Sequence, residues 1–175
     1  MAALDHPDLL APGTAAALRS WADRDDRVAS RVTVASIDPD LADTVALTAA
    51  YDLPLDASAN CVVVAGRRAG DERVAAAVVL ATTRADVNSA IKRLLDVRKA
   101  SFLSIDRAVA ESAMEYGGIT PIGLPAGWRV LVDSRVAESG PVIVGSGLRR
   151  SKVAMPGDLL AAMPGVEVVE GLALD

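Results

Sequence analysis

The residues best suited to chemistry lie in one glycine-rich stretch, residues 116–123, which read Tyr-Gly-Gly-Ile-Thr-Pro-Ile-Gly. This stretch cannot continue a helix, because glycine permits positive φ angles and Pro121 fixes its own φ. The resulting loop should present backbone N–H groups, which can hold an anion or the oxyanion of an acyl-transfer reaction. The alternative for this pattern alone is an ordinary surface loop with no chemical role.

A second glycine turn, with cations just after it, is chemically suggestive. Unpaired N–H groups at such a turn, together with neighbouring positive side chains, can bind a phosphate. The segment lacks the Gly-Lys-Ser/Thr ending of a Walker loop and the third glycine of a dinucleotide fingerprint. A hairpin turn with solvated arginines explains it equally well. The residues are Gly145, Ser146, Gly147, Arg149, Arg150 and Lys152.

Classical catalytic groups are scarce. The only histidine, His6, lies in an N-terminal segment that we expect to be mobile, so no Ser-His or Cys-His system is credible. The only cysteine, Cys61, begins an apolar strand, where cysteine is typically a buried hydrophobe rather than a nucleophile. One cysteine and one histidine cannot form a zinc site, and we expect no metal and no cofactor. Asp158 either caps the following helix or lies near the substrate.

Composition narrows the class of protein further. The chain has 175 residues, of which 51% are hydrophobic and only 3% aromatic, which predicts one domain with an aliphatic core. A net charge of −5 argues against broad, nonspecific binding of nucleic acid. The first ten residues include Asp5 and Asp8 and lack the basic region of a signal peptide, and no stretch is apolar enough to span a membrane. We therefore expect a cytoplasmic protein.

Helices and strands are predicted in an order without regular β-α-β alternation, which favours a single compact α+β domain with a mixed, mostly antiparallel sheet flanked by helices. In the helix predicted over 40–51, the candidates for the buried side are Leu41, Val45 and Leu47. Asp106 is expected to cap a helix that runs to about Met114. The other predicted helices cover 14–22 and 86–95, and a short one begins near Pro156 and Asp158. Predicted strands cover 32–37, 61–65, 74–82, 129–133, 142–144, 152–155 and 166–169; 61–65 and 74–82 form a hairpin with a long loop, 66–71.

The order of these segments resembles the YbaK-like family, also called the prolyl-tRNA-synthetase-associated or insertion-domain-like editing family. The resemblance covers residues 41–169. After the valine-rich hairpin and a helix come Arg-Lys-Ala-Ser-Phe at 98–102, the glycine loop within 114–123, Val-Gly-Ser-Gly at 144–147 and Pro-Gly-Asp-Leu at 156–159. The resemblance implies a compact α+β domain that hydrolyses the ester between a wrong amino acid and the 3′ adenosine of tRNA, as a free-standing protein or an attached domain.

The resemblance also implies roles for particular residues. The glycine-proline loop contacts the ester, and the 2′-hydroxyl of the terminal ribose helps to activate water, so a site without histidine, nucleophilic cysteine or metal can work. The catalytic candidates are Gly117 and Gly118 as backbone donors, Thr120 as a hydroxyl donor and Asn60 as a positioning group. The substrate-binding candidates are Pro121, Gly145, Ser146, Gly147, Arg149, Arg150, Lys152 and Asp158, the cations meeting the phosphates of the tRNA acceptor end.

One position departs from the family pattern. The family carries a lysine in a Lys-Thr-Leu-like context at the head of the first hairpin strand, where this chain reads Ala-Asn-Cys and Asn60 takes the lysine's place. An amide forms hydrogen bonds but supplies no positive charge, so Asn60 marks either a subfamily with different substrate contacts or a site that has lost activity. A cation from Arg149, Arg150 or Lys152 could compensate for the missing charge.

Three functions are therefore open. The first is a free-standing, trans-editing aminoacyl-tRNA deacylase, a hydrolase of translation fidelity, acting on small amino acids such as Ala, Cys or Ser. The second is a non-catalytic module that binds an aminoacyl-nucleotide or tRNA end. The third is a structural partner of an aminoacyl-tRNA synthetase or ribosomal factor.

Overall fold

The computed structural model describes the whole chain, Met1–Asp175. The helices are α1 (Pro12–Ala22), α2 (Arg27–Arg31), α3 (Thr44–Ala50), α4 (Lys92–Leu95), α5 (Ile105–Ser112), α6 (Ser134–Glu138) and α7 (Gly157–Ala161). The strands are β1 (Thr33–Ser36), β2 (Ala59–Arg68), β3 (Asp71–Leu80), β4 (Arg84–Ala85), β5 (Ala100–Phe102), β6 (Arg129–Asp133), β7 (Pro141–Gly145), β8 (Ser151–Pro156), β9 (Val166–Val169) and β10 (Ala173–Leu174). A π-helical turn, Val87–Ile91, leads directly into α4. No helix combines the length and the apolar character needed to cross a membrane.

The strands divide among three sheets. Five strands form the largest sheet in the order β5-β2-β3-β6-β9, three form a second in the order β1-β8-β7, and β10 pairs with β4. The β3–β6 and β6–β9 pairs are parallel, whereas the other pairs are antiparallel. The predicted α+β class with mixed, mostly antiparallel pairing is confirmed, but the division into three sheets was not predicted.

The β2–β3 hairpin closes with a tight turn rather than the long loop predicted over 66–71. Strand pairing continues to Arg68 opposite Asp71, and Ala69 and Gly70 alone connect them. Both connecting residues have positive φ angles, 51° and 90°, which match the right-handed twist of a two-residue hairpin. The predicted loop was wrong because charged residues continue both strands beyond the apolar core.

The core has two parts, one on each side of the large sheet's central strands. The larger part joins Leu18 and Trp21 of α1 to valines of the three-stranded sheet, so the N-terminal residues belong to the same packed unit. The smaller part packs Ile91 and Leu95 against the central strands. Within β3, Ala75, Ala76 and Ala77 are completely buried, as expected for a strand covered on both faces.

The region predicted as one helix over 40–51 is divided into a 3₁₀ turn, Pro39–Leu41, and helix α3. Asp43 causes the break because its Oδ1 accepts the Val45 N–H at 3.0 Å and caps α3. Leu47 is buried as predicted, but Leu41 is only half-buried and Val45 is 70% exposed. The expected Asp106 cap is also wrong, since α5 begins after Ser104, and Ala113 ends it with φ 55°.

Candidate active site

A cavity of about 570 Å³ opens where the start of β2, the N-terminus of α3, the glycine loop and the facing ends of β7 and β8 meet. Four of the predicted site residues line it together, although they come from widely separated segments: Asn60, Gly117, Gly145 and Lys152. Its other polar lining residues are Asp43, Thr44 and Ser58, and most of the remaining wall is aliphatic. An apolar pocket of this size with a few convergent polar groups is typical of a small-ligand site.

The two glycine segments are packed directly on each other. The Gly147 N–H donates to the Gly118 carbonyl at 2.7 Å, and the Glu115 N–H donates to the Gly147 carbonyl at 2.9 Å. A Cβ atom on Gly118 would lie 2.6 Å from the carbonyl carbon and oxygen of Leu148, and one on Gly145 would collide with the Gly118 carbonyl. Glycine is therefore required here because two backbones approach closely, which explains how one loop fixes the shape of the other.

The backbone donors differ from those expected. The Gly118 N–H donates to the Glu115 carbonyl at 3.0 Å, so it is not free for a substrate, contrary to the expectation. Gly117 and Ile119 both line the cavity, and neither N–H has an acceptor. The unpaired donors at this wall therefore include those on either side of Gly118.

Thr120 and Pro121 lie on the inner side of the loop, away from the cavity. Thr120 is completely buried, and its Oγ1 has no hydrogen-bond partner. Pro121 is buried and lines a separate cavity of about 310 Å³ beside Trp21 and Trp128. Thr14 of α1 holds the next residue, because its hydroxyl donates to the Ile122 carbonyl at 3.1 Å. These positions anchor the loop on the core rather than facing a ligand.

Ser146 and Gly147 are also structural in this arrangement. Ser146 is completely buried, and its Oγ lies 2.8 Å from the Ser151 Oγ and accepts the Leu148 N–H at 3.1 Å. Gly147 is buried with a φ of 85°, a conformation that favours glycine. The two residues support the cavity wall from behind and do not line it.

The three cations after this turn have different environments. The Arg149 N–H donates to Glu115 Oε2 at 2.6 Å, and its guanidinium lies 5.7 Å from the centre of the Tyr116 ring. Arg150 is exposed and donates to the Asp8 carbonyl at 2.6 Å, away from the cavity. Lys152 is the only lysine or arginine that lines the cavity.

Lys152 ties two walls of the cavity together. Its Nζ donates to the Ala42 carbonyl at 2.9 Å and to the Gly117 carbonyl at 3.2 Å. Burial lowers the pKa of Lys152 below its ordinary value, and the charge of Arg149 lowers it further, while Asp43 acts in the opposite direction. An ammonium group has three N–H donors, so one remains for a ligand.

Asn60 faces the same cavity from β2. Its Oδ1 accepts a hydrogen bond from Thr44 Oγ1 at 2.8 Å, which leaves the amide N–H donors without a partner in the protein. The neighbouring Cys61 also lines the cavity, but burial raises the pKa of its thiol to about 12, so it is protonated at neutral pH. A protonated thiol is a poor nucleophile.

The remaining sequence candidates lie outside the cavity. Asp158 is exposed at the start of α7, and its Oδ2 lies 3.8 Å from Arg27 Nη1. His6 is half-buried, and the expected mobility of its segment is not seen: the Ala3 N–H donates to the Val32 carbonyl at 3.0 Å. No group of three or more His, Cys, Asp or Glu side chains is placed to hold a metal ion.

Sequence reasoning missed several lining residues. Thr44 and Asp43 were assigned only to a helix, and Ser58 had no assignment, although its buried Oγ lacks a hydrogen-bond partner. Phe102 and Tyr116 also line the cavity while remaining largely exposed. One signal could have found these two, namely aromatic residues at segment ends in a chain with very few aromatics.

Comparison with known proteins defines the family. Residues 38–162 match the family model of the aminoacyl-tRNA editing domain, and the chain belongs to this family. It is similar in structure to a hypothetical protein (TM-score 0.75, 18% identity, covering 90% of this chain and 99% of the other). It is also similar to a candidate trans-editing enzyme for prolyl tRNA synthetase (TM-score 0.73, 15% identity, covering 95% and 99%). At these identities the structures show a shared fold. No curated protein sequence matches the chain.

Proposed function

We propose that this protein is a free-standing, trans-editing aminoacyl-tRNA deacylase that hydrolyses the ester of a tRNA mischarged with a small amino acid. The observation that carries the proposal is the convergence of Asn60, Gly117, Gly145 and Lys152 on one cavity in a chain of the editing family. The structural likeness to a candidate trans-editing enzyme for prolyl tRNA synthetase supports a tRNA substrate and a functional link to a synthetase.

The reaction requires little acid–base chemistry from the protein. Water attacks the ester carbonyl, the carbonyl oxygen becomes an oxyanion, and the ribose 3′-oxygen leaves with a proton, giving a free amino acid and tRNA. The unpaired N–H groups of Gly117 and Ile119 would hold the oxyanion, and such preorganised donors stabilise the transition state strongly. The ribose 2′-hydroxyl would assist the attacking water.

Lys152 would supply the positive charge that Asn60 does not. It reaches the cavity from β8 rather than from the head of β2, and its third N–H is directed by the two carbonyls that already hold Nζ. Asn60 would donate its free amide N–H to the ribose or to the amino acid. In this proposal the charge and the hydrogen-bonding amide come from two different strands.

The cavity walls support a preference for small amino acids. Val62, Ala81, Ile143 and Val144 line it, and they offer apolar contact without polar partners for a long side chain. The cavity must also receive the terminal ribose, so only part of the 570 Å³ remains for the amino acid.

A deacylation assay on a panel of mischarged tRNAs tests the proposal. We expect turnover of Ala-, Cys- or Ser-charged tRNA and little turnover of tRNA charged with bulky amino acids. Gly117→Val should abolish activity, because its Cβ would lie 2.7 Å from the Arg149 side chain at the cavity wall and a β-branched residue is strained at a φ of 79°. The Arg149 side chain is flexible and can move aside, so we expect the protein to stay folded with a lowered melting temperature. Gly165→Val is the matched control, since its φ of 84° imposes the same backbone strain and nothing lies within 4 Å of a Cβ at that position.

The non-catalytic binding module is the second candidate. It is favoured by the presence of Asn60 where the family carries a lysine. A folded protein that binds the tRNA end but turns over no ester on the panel would establish this candidate and exclude the deacylase. Asn60→Lys separates the remaining cases: newly gained hydrolysis indicates a decayed enzyme, whereas loss of an existing activity indicates a specialised one.

A further inference from the structure

Two of the chain's few aromatic side chains lie exposed at the cavity. The sequence has one phenylalanine, two tyrosines and two tryptophans. Phe102, the only phenylalanine, is 62% exposed, and Tyr116 is 59% exposed, and both line the cavity. Large aromatic side chains stabilise a protein core strongly when they are buried. Their exposure beside a pocket therefore indicates a binding surface.

The two rings are held by different parts of the fold. Phe102 ends the edge strand β5, where it pairs with Val64 of β2. Tyr116 begins the glycine loop, and the guanidinium of Arg149 lies over its ring. The aromatic groups are therefore positioned by a sheet edge and by the clamped loop, not by flexible termini.

We propose that Phe102 and Tyr116 are stacking platforms for the unpaired bases at the 3′ end of an RNA whose terminal ribose enters the cavity. The inference rests on the proposed function, because it places the nucleic acid at the same site. Exposed aromatic faces bind single-stranded bases by stacking, whereas paired bases in a helical stem offer no free face.

Charge favours stacking as the source of affinity. The net charge of −5 gives the protein no general attraction for phosphates, and Lys152 is the only cation that lines the cavity. Arg149 stands beside the Tyr116 ring, where it adds a cation next to the stacking face. Recognition of RNA at this site must therefore rely mainly on contacts with bases.

Binding of an uncharged RNA tests this inference without any need for turnover. The probe is a fluorescently labelled RNA hairpin with an unpaired 3′ extension that ends in CCA, and its partner is the same hairpin without the extension. We expect the extended hairpin to bind more tightly, and Phe102→Leu to weaken that binding by about 5- to 150-fold, the effect of losing one stacked base. Phe102→Trp keeps an aromatic face and should stay within about threefold of the unmodified protein.

Two controls define the effect. Tyr51→Leu removes another exposed aromatic residue that does not line the cavity, so RNA binding should be unchanged. The loss of RNA affinity caused by Phe102→Leu should persist at raised salt concentration, because stacking releases no counterions, whereas a phosphate contact does. Thermal melting should show that Phe102→Leu stays folded, since the side chain is mostly exposed.

The inference is overturned if both hairpins bind equally, if the unmodified protein binds neither, or if Phe102→Trp loses as much affinity as Phe102→Leu. It is also overturned if the substitutions spare RNA binding but weaken binding to a synthetase, which would make the patch a protein-docking surface. Failure of the proposed function is distinguishable: no deacylation by the unmodified protein, together with RNA binding that depends on Phe102, removes the enzyme and keeps the stacking surface.

Discussion

Replacing Lys152 with methionine should remove most of the deacylase activity while leaving the cavity almost the same size. The substitution keeps an unbranched apolar stem but deletes the ammonium group that donates to the Ala42 and Gly117 carbonyls. If the third N–H stabilises the oxyanion, its loss should cost about 10²- to 10³-fold in kcat, the usual effect of deleting one preorganised donor. Arg150→Met is the matched control, because it removes the same charge from a side chain that lies outside the cavity.

The pH dependence of activity gives this prediction a second readout. Nζ donates all three hydrogen bonds only when protonated, so the Lys152 contribution is present below its folded pKa and is lost as the pH rises through that value. Burial places that pKa below 10.5, so the loss should begin before an exposed lysine would titrate. Lys152→Arg should lack this alkaline decline because arginine stays charged, and the ratio of kcat/KM for the two proteins cancels titration of the substrate's own amino group.

The lowered pKa of Lys152 affects stability in the opposite direction from activity. Between the lowered folded pKa and 10.5 the unfolded chain binds more protons than the folded chain, so the Lys152 contribution to folding becomes more favourable as the pH rises. A Lys152→Met protein that keeps activity within about threefold of the unmodified protein, or a pH profile that Lys152→Arg leaves unchanged, would refute the role assigned to this residue.

Three further predictions concern the scaffold and the thiol. Gly118→Ala should lower the free energy of unfolding by about 1–3 kcal/mol in denaturant titrations because its Cβ meets the Leu148 backbone, whereas Gly127→Ala, with nothing within 4 Å, should have little effect. Asp133→Ala should destabilise the protein by about 1–3 kcal/mol and speed amide hydrogen exchange at Ala173, whose N–H the buried carboxylate accepts at 2.9 Å; equal exchange in both proteins would contradict this. Cys61 should react slowly with a thiol reagent at pH 8 in the native protein and rapidly once denatured, because burial raises its pKa to about 12, and fast native labelling would contradict a protonated thiol.

The sequence predicted regular elements best where one physical signal dominated. The strands predicted over 129–133 and 166–169 have the observed bounds, since each is a valine-rich segment between clear breaks. Val45 was misjudged because helical spacing identifies a face but not what covers it: in the structure this side chain borders the cavity rather than the core. The hairpin was predicted, but its turn was predicted too long, because alanine rarely adopts the positive φ that Ala69 has here.

The candidate site was predictable only in part for a related reason. Glycine spacing identified Gly118 and Gly145 as candidate site residues, but it showed neither that the two backbones approach each other closely nor which N–H groups the turn itself would use. Ser146 looked like a lining residue by position, yet its hydroxyl is bonded to Ser151 within the protein. Alternation along β8, by contrast, separates the buried Ser151 from Lys152 and directs only the lysine to the cavity, which the basic pattern alone did not distinguish.

The chemical groups in the cavity also limit which bond the site can break. Its polar groups include unpaired backbone N–H groups, one ammonium group, one amide, the Asp43 carboxylate, the Thr44 and Ser58 hydroxyls and a thiol held protonated, with no histidine to move a proton. The N–H groups and the ammonium can stabilise an oxyanion, whereas the cavity holds no histidine, the usual proton donor to a strongly basic amine leaving group near neutral pH. Hydrolysis of the ester releases the ribose 3′-oxygen as an alkoxide, which has the 2′-hydroxyl next to it. This leaving group needs less assistance from a protein acid than the amine of a peptide bond does. The composition of the cavity therefore favours esters over amides as substrates, in agreement with the aminoacyl-tRNA linkage that the family model indicates.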